Sequence, residues 1–394
     1  QTSEVLKTSE VSPNSPVSSV LAGIDVLRRD GFRQLAGRRV GLITNQTGIA
    51  RDGVSTVRLL HGAKNVRLVA LFSPEHGLEG RLEAGNIPDG LDKVTQRPVY
   101  SLYGKTRTPT PDALAGIDTL VFDIQDIGTR FYTYISTMGM AMRAAAEHKV
   151  RFVVLDRPNP IGGVEVAGPV LDAGREAFVG FHTLPVRHGM TAGELARMFN
   201  HELKIGADLQ VIRMESWRRS DLLDATGLIW VNPSPNMRSL SEALLYPGIG
   251  LLETTNLSVG RGTDTPFEVL GAPWLDGTRL ARELNTAGLP GVRFVPIRFT
   301  PESSVFKGQP CNGVNVIVTD RKVFRPVPAG LAIACTLRRL YPKTWNAAKY
   351  DSLLRNRAAL DALVAGKSAA EIEQGWRAGL EEFCRRRRQF LLYE

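Results

Sequence analysis

Long apolar runs that alternate with amphipathic stretches mark the first two thirds of the chain. The runs are rich in aliphatic and β-branched residues, as in strands buried within a parallel sheet, and they cover residues 39–44, 66–72, 119–124, 151–155 and 209–214. Apolar residues at helical spacing lie between them, at residues 21–35, 55–61, 136–148 and 191–201. This alternation predicts a Rossmann-like, doubly wound parallel sheet in an α/β fold.

The pattern changes near residues 240–247. Beyond this point the chain becomes rich in Gly and Thr, and a short alternating strand at 314–318 precedes a helical segment that starts near Leu331. A length of 394 residues also fits two cores better than one. We predict a flexible tail over residues 1–20, a Rossmann-like catalytic domain over 21–243, and a smaller α+β C-terminal domain over 244–394 that completes a cleft.

Charge and cysteine content exclude some classes of partner. The formal net charge is +9, and four of the positive charges belong to the run Arg385 to Arg388, which is typical of a solvated helix end rather than a nucleic-acid patch. No apolar run is long enough to span a bilayer. The three cysteines lack metal-ligand spacing and cannot form a fully paired disulfide framework. We expect no nucleic-acid partner and no membrane span.

The N-terminal segment predicts an exported protein. The sequence starts at Gln1, and residues 1–20 are rich in Ser, Thr and Pro with almost no large apolar residues. Such a segment is typical of what a cleaved export signal leaves behind. We therefore expect a periplasmic or extracellular location.

Polar side chains follow several of the predicted strands. Ligands of open α/β sheets bind at the carboxyl edge of the strands, so these side chains are candidates for a site. The candidates in the first domain are Asn45, Glu75, His76, Asp123, Asp126, Arg130, Tyr132, Asp156, Asn159, Asn232 and Asn236.

Glu75 has the clearest chemical potential of this set. It lies in a turn made rigid by Pro74, beside His76 and before Gly77, where a backbone can approach a ligand closely. Partial desolvation by Phe72 and Pro74 would favour its protonated form, so that it could act as a general acid. The alternative is a solvated loop glutamate, with His76 capping a backbone carbonyl.

The carboxylates after the third run have two interpretations. Asp123 continues a buried strand and needs a partner, for which Arg130 is the obvious candidate, so a structural ion pair is as plausible as catalysis. Asp156 and Asn159 share this ambiguity. A metal site would draw on Glu75, His76, Asp123 and Asp126, but the sequence contains no HExxH motif or repeated His pair, and we expect no metal.

The second domain contributes Glu253, Asn256 and Arg261. Arg261 lies between two glycines, which leaves its guanidinium free for bidentate recognition of a carboxylate, unless the segment is a glycine-rich turn with a surface arginine. A nucleotide cofactor is not expected, because neither a Gly-x-Gly-x-x-Gly segment nor a Walker loop is present. Gly-x-Ser-x-Gly, the nucleophile motif of α/β-hydrolases, is also missing.

Five segments together carry a family resemblance. They are TNQTG at 44–48, SPEHG at 73–77, DIQDIGTRFYTY at 123–134, DRPNP at 156–160 and ETTNLSVGRGT at 253–263. In this order they closely resemble the NamZ-type exo-β-N-acetylmuramidases, a family of glycoside hydrolases, over nearly all of the chain from about Leu21. The resemblance implies a Rossmann-like catalytic domain, a smaller C-terminal domain, and an active site in the cleft between them.

The resemblance also implies an activity. Members of the family release N-acetylmuramic acid from the non-reducing end of peptidoglycan fragments in cell-wall turnover, and the glutamate of their SPEHG motif falls on Glu75, which implies a general acid at this position. The lactyl carboxylate of the substrate would account for an arginine at 261 or 130. Asp123, Asp126 or Glu253 could be the second catalytic group, or the substrate's acetamido group could attack intramolecularly.

Two other functions stay open at this point. One is a metal-dependent hydrolase that uses Glu75, His76 and Asp123, and the other is a non-catalytic protein that binds peptidoglycan sugars.

Overall fold

A computed structural model of the protein describes residues 19–82, 85 and 87–394. The tail predicted for residues 1–20 lies outside the described residues up to residue 18. The strands of the described part are β1 (Arg39–Thr44), β2 (Arg67–Ser73), β3 (Gly90–Leu91), β4 (Pro98–Ser101), β5 (Thr119–Asp123), β6 (Arg151–Leu155), β7 (Ala167–Val170), β8 (Pro185–Arg187), β9 (Leu209–Ile212), β10 (Val269–Ala272), β11 (Val292–Phe299) and β12 (Cys311–Val318).

The α-helices alternate with these strands in the first domain and dominate the end of the chain. They are α1 (Gly23–Arg29), α2 (Thr56–Gly62), α3 (Pro111–Leu114), α4 (Tyr134–Glu147), α5 (Ala192–Glu202), α6 (Leu240–Ile249), α7 (Gly277–Thr286), α8 (Pro326–Leu340), α9 (Asp351–Leu354), α10 (Arg357–Val364) and α11 (Ala369–Arg387). No helix of the described residues is both long enough and apolar enough to cross a membrane.

The first domain is built on a sheet with the strand order β3-β4-β2-β1-β5-β6-β9. All neighbouring pairs are parallel except β3 and β4. The central strands are buried on both faces, as the apolar runs predicted, and every residue of β5 is buried. This architecture confirms the predicted Rossmann-like α/β fold. The strand order reverses between β1 and β5, so the loops after β1, β2 and β5 meet at one edge.

Side-chain caps fix the starts of several helices. Ser55 accepts a hydrogen bond from the Arg58 amide at the start of α2, as the sequence predicted. Thr191 and Glu194 form a reciprocal capping box at the start of α5. The predicted helix 21–35 is interrupted, because Gly31 and Phe32 adopt left-handed conformations after α1. A single turn of 3-10 helix, Arg33–Leu35, follows them.

The second domain has a small antiparallel sheet with the order β10-β12-β11, covered by helices. The predicted division between residues 243 and 244 lies inside α6. Helix α6 packs closely on α8, because Gly248 and Gly330 leave no room for a Cβ atom: one added at Gly248 would lie 2.0 Å from the Pro326 carbonyl oxygen.

The end of the chain fastens the two domains together. Arg387 is buried and donates hydrogen bonds to the carbonyl oxygens of Gly163 and Gly189, and Arg386 donates to that of Thr183. The prediction of a solvated helix end was therefore wrong for these two arginines of the 385–388 run. Their side chains lie against the first domain, where backbone carbonyl oxygens accept the hydrogen bonds that water would otherwise accept.

Candidate active site

A pocket of about 390 Å³ opens at the carboxyl edge of the sheet, between residues of the first domain and residues of the second. We call it the interdomain pocket. Its lining residues are Glu75, His76, Tyr103, Arg107, Phe131, Tyr132, Thr133, Tyr134, Ala177, Phe178, Val179, Ser234, Asn236, Met237, Tyr246, Glu253, Arg261, Phe267, Leu353 and Arg355.

The turn after β2 carries Glu75 beyond the end of the sheet. Strand β2 ends at Ser73, and His76 and Gly77 then adopt consecutive left-handed conformations with φ of 71° and 78°. A left-handed histidine is uncommon, and here its ring Nδ1 lies 2.7 Å from the carbonyl oxygen of Leu82. The histidine therefore holds the following loop, and the turn points Glu75 at the pocket.

Two hydroxyl groups hold the Glu75 carboxyl group. Thr133, just before α4, donates a hydrogen bond from its Oγ1 to Glu75 Oε2 over 2.6 Å. The hydroxyl of Tyr103 also hydrogen-bonds to Glu75, and burial together with the Glu75 charge raises the pKa of Tyr103 to about 12. Tyr103 is therefore a protonated donor at neutral pH. Glu75 itself is only partly buried, so its carboxyl group is both oriented and accessible.

Glu253 enters the same pocket from the second domain, in partnership with Arg261. Arg261 Nη1 lies 3.3 Å from Glu253 Oε2. Burial raises the pKa of Glu253, the positive charge of Arg261 opposes that rise, and the negative charge of Glu75 adds to it. Both glutamates therefore lie in the interdomain pocket, close enough for the charge of one to affect the pKa of the other.

Aromatic rings form part of the wall of the interdomain pocket. Tyr246, in α6, packs edge to face against Phe267 at 4.7 Å between ring centroids and against Tyr132 at 5.9 Å. Tyr132 also contacts the ring of Tyr134 at 5.1 Å. These edge-to-face contacts give the pocket an apolar wall.

The structure separates the predicted site residues into two groups. Those that line the interdomain pocket are Glu75, His76, Tyr132, Asn236, Glu253 and Arg261. Those that do not line it are Asn45, Asp123, Asp126, Arg130, Asp156, Asn159, Asn232 and Asn256.

Asp123 is held in a buried ion pair, but its partner is Arg157 and not Arg130 as predicted. Arg157 Nε lies 2.6 Å from Asp123 Oδ1, and Arg157 Nη2 lies 2.9 Å from Oδ2. Thr56 donates a further hydrogen bond to the same carboxylate. Arg157 follows β6, the neighbour of β5 in the sheet, whereas Arg130 is carried away by the turn at Gly128. Asp123 therefore has no free oxygen to offer a substrate.

Asp126 is buried behind the pocket. Its Oδ2 accepts a hydrogen bond from the Gly128 amide over 2.7 Å and lies 3.7 Å from Nε2 of His188. Burial raises the pKa of Asp126 to about 7 and lowers that of His188 to about 3. The imidazole is therefore neutral, and the carboxyl group is partly protonated at neutral pH.

Arg130 is completely buried and links several chain segments through hydrogen bonds. Its two terminal nitrogens donate to four carbonyl oxygens, those of Pro169, Leu184, Leu353 and Leu354, over 2.7 to 3.0 Å. Burial lowers the pKa of Arg130 to about 9. Its terminal donors are thus already bonded to backbone carbonyl oxygens and are unavailable to a ligand.

The remaining predicted residues make local or interdomain hydrogen bonds. Asp156 accepts from Thr191, the Gly193 amide and Tyr393, and burial raises the pKa of Asp156 to about 6. The four amide side chains have these partners: Asn45 with Thr47, Asn159 with Met190 and Ile161, Asn232 with Trp230, and Asn256 with Thr344 and Asn346.

Several pocket residues were not predicted from the sequence. Tyr103 and Arg107 lie in the loop after β4, and Phe178 lies in the segment between β7 and β8. None of them belongs to a motif or follows a central strand. Thr133 could have been found, since it is part of the 123–134 segment and directly precedes a helix.

The three residues proposed for a metal-dependent hydrolase are not brought together. Glu75 and His76 line the pocket, while Asp123 lies inside the sheet with Arg157. Within residues 19–82, 85 and 87–394, no group of three or more His, Cys, Asp or Glu side chains is arranged to hold a metal ion.

Two family models match this chain. Residues 40–241 match the N-terminal domain of exo-β-N-acetylmuramidase NamZ, and residues 244–393 match its C-terminal domain. A curated relative, the peptidoglycan β-N-acetylmuramidase NamZ of Bacillus subtilis (strain 168), is 45% identical over 378 residues. That alignment covers 95% of this chain and 91% of the relative.

Two solved structures share the fold, both of DUF1343 family proteins from Bacteroides fragilis NCTC 9343. The first is 38% identical with a TM-score of 0.89 and covers 96% of this chain and 100% of its own. The second is 30% identical with a TM-score of 0.78 and covers 96% of this chain and 99% of its own. These matches confirm the resemblance seen in the sequence, and the chain belongs to the NamZ family of exo-β-N-acetylmuramidases.

Proposed function

We propose that this protein is an exo-acting glycoside hydrolase that releases N-acetylmuramic acid from the non-reducing end of peptidoglycan fragments, with Glu75 as the general acid. The observation that carries the proposal is the Glu75 carboxyl group, held by Thr133 and Tyr103 in the interdomain pocket that Glu253 also lines. Two carboxyl groups in one cleft are the usual machinery of glycosidic bond hydrolysis.

Proton transfer from Glu75 would assist departure of the leaving group. As the bond between the anomeric carbon and the glycosidic oxygen breaks, that oxygen takes the proton of the Glu75 carboxyl group. Water then adds to the anomeric carbon and returns a proton to the enzyme. Thr133 and Tyr103 keep the carboxyl group in one orientation through both steps.

Glu253 is the favoured second group. Of the three carboxylates considered from the sequence, Asp123 is bound to Arg157 and Asp126 is buried against Gly128, whereas Glu253 lines the pocket. Glu253 can act on the anomeric carbon, or it can orient the substrate's acetamido group for intramolecular attack. In either role Arg261 holds it in place.

Pocket size agrees with exo-action. A volume of about 390 Å³ lies at the lower end of the range for small-ligand sites, and it accommodates one substituted sugar rather than a run of polymer. The aromatic wall of Tyr132 and Tyr246 provides apolar surface for that sugar.

The test is an assay of the purified protein on two chromogenic β-glycosides, one of N-acetylmuramic acid and one of N-acetylglucosamine, with and without a chelator. We expect release from the muramic acid glycoside only, unaffected by the chelator. Loss of activity on chelation, restored by a divalent ion, would favour the metal-dependent alternative. Binding of muramyl sugars without any release would favour a non-catalytic binding protein.

A further inference from the structure

Three arginines line the interdomain pocket, and they differ in what their guanidinium groups contact. Arg261 is paired with Glu253. Arg355 donates to the carbonyl oxygen of Arg175 over 2.6 Å. Arg107, in contrast, has no hydrogen-bond acceptor and no carboxylate partner among the described residues, and its guanidinium contacts two aromatic rings. Arg107 is thus the pocket arginine with none of its donors bonded to a described residue, whereas Arg261 and Arg355 are each engaged through Nη1 and have an unpaired Nε.

The guanidinium of Arg107 packs against these two aromatic rings. Its central carbon lies 4.1 Å from the ring centroid of Phe178 and 5.5 Å from that of Tyr103. Stacking of this kind leaves the N–H groups at the edge of the guanidinium unobstructed. A planar, stacked guanidinium with free edge donors has the geometry that bidentate binding of a carboxylate requires.

The segment that carries Phe178, on which Arg107 packs, is itself held in place. Ala177 and Gly180 exchange backbone hydrogen bonds of 3.0 and 2.9 Å, which close a tight turn around Phe178. The bond from Arg355 to the Arg175 carbonyl fastens the same segment to the second domain, and Arg175 forms an ion pair with Asp351 at 2.6 Å. Ligand binding would therefore require little ordering of this segment.

The charges of the pocket favour an anionic ligand. Arg261 and Glu253 offset each other, which leaves Arg107 and Arg355 against Glu75. Once Glu75 carries the proton that a general acid needs, two positive charges are uncompensated. A neutral sugar would gain nothing from them, whereas a sugar acid would be attracted.

Arg107 is also close to the reacting end of the pocket. Its guanidinium carbon lies 5.5 Å from the ring centroid of Tyr103, and the hydroxyl of the same tyrosine hydrogen-bonds to Glu75. A ligand group that reaches Arg107 therefore sits one side chain away from the general acid.

We propose that Arg107, stacked on Phe178, binds the lactyl carboxylate of the terminal N-acetylmuramic acid and so determines the preference for this sugar. The inference rests on the proposed function and names the residue that recognises its substrate. Arg130 donates its hydrogen bonds to backbone carbonyl oxygens, and Arg261 is paired with Glu253. Both arginines suggested by the sequence therefore have fewer donors available to a ligand than Arg107 has.

The experiment compares two chromogenic glycosides that differ in one group, the N-acetylmuramic acid glycoside and its lactyl carboxamide. For Arg107→Ala we expect kcat/KM on the acid to fall about 10- to 100-fold, as for loss of a hydrogen bond to a charged group, mainly through KM. On the carboxamide the variant and the unaltered protein should differ less than threefold. Phe178→Leu should weaken binding of the acid in the same direction, by a smaller factor.

Lys105→Ala is the matched control, because Lys105 is exposed on the same loop and does not line the pocket. If Lys105→Ala lowers activity as much as Arg107→Ala, the effect is long-range electrostatics and the proposal fails. Equal losses on acid and carboxamide would also overturn it, since they would assign Arg107 a structural role. Arg107→Lys should recover only part of the loss, because an ammonium cannot bind in a bidentate manner.

Failure of the inference can be told apart from failure of the proposed function. If the unaltered protein cleaves neither glycoside, the proposed function fails. If it cleaves the acid and Arg107→Ala does so equally well, only the inference fails. A loss by Arg107→Ala that is confined to fragments bearing a peptide stem would assign the arginine to a peptide carboxylate and overturn the lactyl assignment.

Discussion

The ends of β2 and β5 look alike in the sequence and differ in the folded protein. Each strand is apolar and buried, and carboxylates lie at or just after its end, at the same edge of the sheet. After β2, Glu75 faces the interdomain pocket. After β5, Asp123 is bound to Arg157 and Asp126 is buried beside His188.

Two physical differences separate these strand ends. Asp123 is the last residue of a central strand, between β1 and β6, where a charge must find an internal partner. Glu75 lies two residues past the end of β2, in a turn whose left-handed His76 and Gly77 carry it out of the sheet. A carboxylate at the edge of a sheet is thus free for chemistry only when the backbone takes it past its strand neighbours.

Substitution of Glu75 should have the largest effect on activity. We expect Glu75→Gln to lower kcat on the muramic acid glycoside about 10²- to 10⁴-fold, the contribution typical of a general acid, without changing the unfolding transition. Glu79→Gln, an exposed residue in the same loop, is the control and should keep full activity. Turnover by Glu75→Gln close to that of the unaltered protein would refute the role assigned to Glu75.

Substitution of Asp123 should instead affect stability. Asp123→Asn leaves Arg157 with an unpaired charge in the interior, and we expect the free energy of unfolding to fall by about 3–5 kcal/mol. Chemical denaturation measures this quantity directly. Asp118→Asn removes a partly exposed pair with Arg39 at the other end of β5 and should cost about 1 kcal/mol or less.

Equal stability losses in the two variants would mean that the Asp123 pair is no more important than a surface pair. A loss of activity in Asp123→Asn without loss of stability would return Asp123 to the list of catalytic candidates.

The pattern of apolar positions was sufficient to predict the sheet and its helices. Strand β1 and strand β6 have the predicted bounds, and Ser55 caps α2 as expected. The break after α1 was missed because it depends on the left-handed backbone conformation of Phe32. Phenylalanine rarely adopts this conformation, so the residue type does not predict it. Periodicity reports which face of an element is apolar, and it reports local backbone exceptions poorly.

The site was predictable only where a motif carried it. Glu75, Glu253 and Arg261 lie in distinctive segments, and the structure brings all three to the pocket. Arg107 and Phe178 come from two unrelated connections that meet only in the folded chain, so no local pattern marks them. Asp123 and Arg130 show the converse limit, since a sequence does not reveal which buried charge will find which internal partner.

The pH dependence of stability should distinguish Asp126 from a solvated carboxylate. Its pKa in the folded protein is raised from 3.8 to about 7, so the folded state binds more protons than the unfolded state between these values. The stability that Asp126 contributes is therefore complete below about pH 4 and is lost as the pH rises to about 7. We expect Asp126→Asn to gain about 4 kcal/mol relative to the unaltered protein across this window.

Other titrating groups are common to both proteins and cancel in the difference, including His188, whose pKa is lowered to about 3. Unfolding measured from pH 4 to pH 8 gives the comparison. A constant difference at all pH values would contradict a buried, proton-binding Asp126.

Removal of the Thr133 hydroxyl should give the smallest effect and sharpen the role of Glu75. Thr133→Val keeps the shape of the side chain but removes the hydrogen bond of 2.6 Å to Glu75 Oε2. Since a hydrogen bond to a neutral carboxyl group is worth about 0.5–1.5 kcal/mol and Tyr103 still holds the carboxyl group, we expect kcat to fall by up to about tenfold with little change in KM. Thr133→Ser, which restores a hydroxyl, should recover most of the activity. A rise in KM at constant kcat would instead place Thr133 in substrate binding, and equal activity of the Val and Ser variants would mean that Glu75 is oriented by Tyr103 alone.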